Sequence, residues 1–131
     1  MPNTDISARD IGYQLTQVIS RPIAFSDGAS AVVTIGKLPA KAVVINAGVV
    51  VTTAFNAGSG NVLDIGTAAD DDGFATDLAL GTIGRIPADE LATSNDLYST
   101  DEVTVTATLA LTGTAATAGA GIVFVEYFVN R

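Results

Sequence analysis

Residues 38–86, LPAKAVVINAGVVVTTAFNAGSGNVLDIGTAADDDGFATDLALGTIGRI, decide how this chain folds. Residues 42–55 are rich in β-branched side chains, as a pleated, half-buried strand requires. Val43, Ile45, Ala47, Val49 and Val51 alternate with Ala42, Val44, Asn46, Gly48, Val50 and Thr52. A period of two puts these sets on opposite faces, the second of mixed character. The run is long for one strand, and Gly48 is the expected bulge or bend. Asn56-Ala57-Gly58-Ser59-Gly60-Asn61 reverses the chain, and Val62, Leu63 and Ile65 carry the returning strand. Residues 67–77, TAADDDGFATD, read as a loop with Phe74 as its anchor in the core.

The flanking segments repeat this rhythm. Residues 21–25 and 31–35 are short apolar runs around Ser26-Asp27-Gly28, which predicts a hairpin. Pro39 breaks the ladder that follows, because it supplies no donor. Pro87-Ala88-Asp89-Glu90-Leu91 has the proline and early acids of a short helical turn. Val103, Val105, Ala107, Leu109 and Leu111 alternate with Thr104, Thr106, Thr108, Ala110 and Thr112, a strand with one inward face and a threonine-covered outer one. The last run, residues 122–129 (IVFVEYFV), is apolar on both faces apart from Glu126. Such a strand lies at the centre of a sandwich or beneath a partner.

Residues 1–19 are mixed in character and predict an extended N-terminal arm with a short strand at residues 14–19, or a weak amphipathic helix interrupted by Gly12. Residues 20–131 then form a single domain. About eight short strands at near-regular spacing, with almost no helix, predict an all-β antiparallel β-sandwich. A jelly roll suits the length and strand count, with an immunoglobulin-like topology as the alternative. The expected interface residues are Ile6, Ile11, Tyr13 and Leu15 in the arm, and Phe128 in the last strand.

The composition narrows the chemistry. The chain has no cysteine and no histidine, so thiolate chemistry, disulfides and the commonest general base are all missing. Fourteen acidic against six basic residues give a net charge of −8, which repels phosphate backbones and argues against nucleic-acid binding. An apolar content of 48% argues against disorder. The N-terminus lacks the basic and apolar regions of a signal peptide, and no run approaches the ~20 residues that span a bilayer. Synthesis in the cytoplasm and no membrane partner are expected.

No motif survives its own requirements. Asp70 and Asp72 before Gly73 invite a calcium reading, taking the third and fifth ligand places of an EF-hand loop. The first and twelfth places would then be Ala68 and Ala79, which cannot ligate, so a solvated loop is the better account. Gly58-Ser59-Gly60 lacks the frame of a nucleophile elbow, and no histidine exists to activate Ser59. Gly36-Lys37 is followed by Leu38 instead of serine or threonine, so a phosphate-binding loop fails. Gly119-Ala120-Gly121 precedes a strand, which excludes a dinucleotide fingerprint. Asp89-Glu90 could serve a glycosidase but fits a helix start better. No catalytic residue, metal or cofactor is expected.

One likeness covers residues 36–86. Leu38-Pro39-Ala40-Lys41-Ala42-Val43-Val44, Gly48-Val49-Val50-Val51-Thr52-Thr53-Ala54-Phe55, and Leu63-Asp64-Ile65-Gly66-Thr67 with Asp70, Asp72 and Gly73-Phe74-Ala75 resemble a pattern in tailed-bacteriophage capsid decoration (cement) proteins. The resemblance implies a non-enzymatic virion protein on the outer surface of an icosahedral head. Its implied partners are the major capsid protein and further copies of itself, as a dimer or trimer. The alternative is a receptor- or glycan-binding module of a tail fibre or adhesin, using the exposed loops 56–61, 67–77 and 113–121. The absence of tryptophan weakens that alternative.

Overall fold

The structure, a computed structural model, describes residues 15–130. Eight strands follow one another: β1 (Gln17–Ala24), β2 (Val32–Leu38), β3 (Ala42–Thr53), β4 (Gly60–Thr67), β5 (Ala75–Ala79), β6 (Gly84–Pro87), β7 (Val103–Thr112) and β8 (Ala120–Val129). They form two four-stranded sheets, β1-β8-β3-β6 and β2-β7-β4-β5. Strands pair antiparallel in a nested series: β1 with β8, β2 with β7, β3 with β6 and β4 with β5. Rolling that long double ribbon brings β8 beside β3 and β7 beside β4. This is the jelly-roll arrangement of a double-sheet sandwich.

The topology corrects the expected hairpin at residues 21–35. Its two strands lie in different sheets, and only β4–β5 is a hairpin between consecutive strands. The Phe25–Asp27 3₁₀ turn and Gly28, at φ 124°, lead the chain across the sandwich. Asp27 anchors the crossing, its Oδ2 accepting from the Ala24 N–H at 2.8 Å. On the open side, Ile19 of β1 packs over Gly36 of β2, and Arg21 Nη1 donates to the Thr34 carbonyl at 2.8 Å.

The inner faces meet in one core. Val49, Val51, Val123 and Val125 from the first sheet oppose Leu63, Ile65, Val105 and Leu109 from the second, each at most 1% exposed. Phe74 is fully buried, as expected of the loop anchor, and its N–H donates to the Ile65 carbonyl at 2.9 Å. In β7 the alternation holds, with Val105, Ala107, Leu109 and Leu111 inward.

β3 departs from strict alternation. Val44 pairs with Tyr127 and Asn46 with Glu126, so Ile45 is an extra residue without a partner. The bulge shifts the phase of the pleat by one. Ala42 and Val44 therefore point inward before it and Ala47, Val49 and Val51 after it, while Val43 and Ile45 point outward. The expected bulge at Gly48 does not occur. Gly48 instead lies in regular pairing with Phe124 and Pro87, where an added Cβ would come within 2.6 Å of the Ile86 carbonyl oxygen.

The expected helical turn at residues 87–91 is also corrected. Pro87 ends edge strand β6, a place where a missing N–H costs nothing. The Asp89 carboxylate accepts from the Thr76 N–H at 2.9 Å and caps no helix. Residues 17–19, part of the short strand expected at the end of the arm, pair with β8 as the start of β1.

Candidate functional site

No convergent catalytic constellation forms among the described residues, and the outer faces of the two sheets differ in character. The outer face of the first sheet is the more unusual. The register sets Pro22, Ile122, Val50 and Arg85 in one row, and Ser20, Phe124, Gly48 and Pro87 in the next. Val18, Glu126 and Asn46 form a third row, with Phe128 and Val43 beyond them. Val18, Ile45 and Ile122 are 55%, 45% and 44% exposed, respectively. The Phe124 ring lies across Gly48, close enough that a Cβ there would be 3.3 Å from its Cζ, and Arg85 sits 5.8 Å from the ring centroid. Among the described strand residues, Arg85 and Glu126 are the charged side chains of this face.

The outer face of the second sheet has the opposite character. Thr34, Thr106 and Gly66 form one row, Val32, Thr108 and Asp64 the next. The acidic loop after β4 folds back over it, its backbone at Asp70 and Asp71 packed against Gly66. Asp64 Oδ1 accepts from the Asp77 N–H at 2.7 Å. Burial, followed by the negative charges of Asp77, Asp71 and Asp72, raises the Asp64 carboxyl above its ordinary value against that hydrogen bond.

Asp70 and Asp72 are brought together with Asp71, all three exposed, with carboxylate oxygens within 4.8 Å of one another. Asp96 approaches from the β6–β7 connection, so its carboxylate and that of Asp70 converge over Gly73. Thr67 fixes the loop, its N–H donating to the Asp70 carbonyl at 2.8 Å and its Oγ1 accepting from the Asp70 N–H at 3.0 Å. The convergence with Asp96 is invisible in the sequence because it joins two loops more than twenty residues apart. Oxygen donors of this kind suit a hard cation, but exposed carboxylates on so acidic a chain are ordinary solvated groups.

A groove of about 470 Å³ runs between this loop and residues 95–104, with Tyr98 as its single aromatic. The three exposed loops named for a glycan-binding module lie at two ends of the sandwich. Loops 56–61 and 113–121 meet at one end, where Asn56 Oδ1 accepts from the Thr117 and Ala118 N–H groups at 2.8 and 3.0 Å. Loop 67–77 lies at the other end, its Ala68 N–H bonded to the Thr104 carbonyl. Of the expected interface residues, Leu15 is exposed and Phe128 lies half-buried on the outer face of the first sheet. Ile6, Ile11 and Tyr13, with the rest of the expected arm before residue 15, lie outside the described residues.

No family model and no curated protein sequence matches the chain. Solved structures do match over nearly its whole length. One chain of the cyanophage Pam1 capsid asymmetric unit superposes with a TM-score of 0.72 at 18% identity, covering 98% of this chain and 94% of that one. A chain of the acid-stable capsid of Helicobacter pylori bacteriophage KHP30 gives 0.67 at 18% identity, covering 91% of each. A chain of the Ralstonia phage GP4 capsid gives 0.59 at 16% identity, covering 88% and 84%. The jelly roll seen here is thus a fold shared with chains of three phage capsids.

Proposed function

We propose that the protein is a non-enzymatic virion component that binds the outside of an icosahedral phage head and stabilises contacts between major capsid protein subunits. What carries the reading is the end-to-end likeness to capsid chains, since a match covering 98% and 94% of the two chains leaves little of either fold unaccounted for. The surfaces are compatible with it. The acidic outer face of the second sheet would keep particles apart in solution.

A protein that binds assembled shell and not loose subunits stabilises the shell by mass action. The test is to add the purified protein to heads lacking it and to unassembled major capsid protein. The expected result is saturable binding to heads alone, with genome release shifted to higher temperature. Equal binding to both, or heads no more resistant with the protein than without it, would overturn the proposal.

A further inference from the structure

On the outer face of the first sheet a positive and a negative side chain stand at equal offsets from one residue of β3. Glu126 pairs with Asn46, two residues before Gly48 on β3, and Arg85 pairs with Val50, two residues after it. They lie one strand to either side of β3. Gly48 is therefore the midpoint between the positive and the negative group, and the Phe124 ring covers it. Among the described residues the ion pair is Lys37–Glu102, so neither Arg85 nor Glu126 has an ion-pair partner among them.

From this juxtaposition we infer that the outer face of β1-β8-β3-β6 binds a second copy of the chain about a two-fold axis above Gly48. In such an isologous contact each residue meets its counterpart's partner. A two-fold lying in the interface and bisecting the line from Arg85 to Glu126 sets each arginine against the other copy's glutamate. The two Phe124 rings meet at the centre.

Charge and area agree with this occupant. Two chains of net charge −8 repel, and they approach at least cost through the face that holds Glu126 alone of the described acids. Asp64, Asp77 and the Asp70–Asp72 loop lie on the opposite side of the sandwich. Four strands about 4.8 Å apart, averaging about eight residues, present roughly 500 Å². Two such faces bury about 1,000 Å², the lower bound for a specific interface.

The test is the solution mass of the full chain, by light scattering from micromolar to submillimolar concentration, with circular dichroism to confirm folding. The wild-type protein is expected to be a dimer. Arg85→Glu and Glu126→Arg should each weaken it at least about tenfold. The double reversal R85E/E126R should restore it, which a merely structural effect of either change would not do. A wild-type monomer throughout the range, a trimer, or a dimer indifferent to both single reversals would overturn the inference. So would a monomer that loses head binding on Phe124→Ser, because the face would then belong to the shell. The inference does not rest on the virion reading: a dimer that ignores phage heads would defeat that reading and leave this one standing.

Discussion

The two sheets are alike on the inside and opposite on the outside. Inward, both present valine, leucine and isoleucine at alternate positions, and the two sets interdigitate. Outward, the second sheet carries Thr34, Thr104, Thr106, Asp64 and Asp77 with Val32 as an exposed apolar exception, whereas the first carries Val18, Val50, Ile122, Phe124 and Phe128. Threonine is β-branched and polar, so it satisfies a strand's preference without adding a large apolar surface. The second sheet therefore shows how little apolar surface the fold requires outside its core. Outward valines and phenylalanines on the first sheet are not needed to make a strand, and a contiguous apolar face marks an interaction site.

The sharpest way to break the molecule leaves that contrast untouched. Phe74→Ala empties a fully buried site beneath both sheets and should cost about 3–5 kcal/mol in denaturant unfolding. Next in size is Gly48→Val, which drives a side chain against the Ile86 carbonyl and the Phe124 ring; about 1–3 kcal/mol should be lost. A comparable loss would show that the first sheet's outer face is packed as well as apolar.

The second sheet should respond in the other direction. Thr108 Oγ1 is buried without a hydrogen-bond partner among the described residues, and Thr108→Val should raise stability by about 1 kcal/mol. On the first sheet, Ile122→Thr should change monomer stability by less than about 0.5 kcal/mol while reducing self-association, checked by unfolding and light scattering in parallel.

The smallest effect is the titration of Asp64. Its carboxyl is raised in the folded protein, so the native state holds more proton than the unfolded chain just above the ordinary carboxylate range. Stability from this group therefore falls as pH rises through that window. Asp64→Asn keeps an oxygen acceptor for the Asp77 N–H and removes the charge. Slightly greater stability at neutral pH and a flatter slope in the window are expected from urea unfolding at several pH values.

Much of this was legible in order along the chain. The alternation at residues 103–112 predicts β7 and its inward residues, because a pleat turns each side chain by half a revolution and nothing interrupts it. Phe74 reads as core because a large aromatic in a polar loop has nowhere else to go. The inward face of β3 was legible only in part. Ile45 looks like any other member of the series, and its bulge depends on register against Tyr127 and Glu126 from the far end of the chain. The turn at residues 26–28 signals a reversal but cannot say which sheet receives the next strand. The meeting of Asp70 with Asp96 was hidden for the same reason.

Local chemistry thus determined the strands, the lack of histidine and cysteine, and the acidic balance, since propensity, composition and period are properties of neighbours in sequence. Tertiary structure decided the strand order, the phase of β3 and the gathering of Val18, Val50, Ile122, Phe124 and Phe128 on one face. Those depend on which strands pair at long range, where a shift of one residue turns every following side chain to the other side of the sheet.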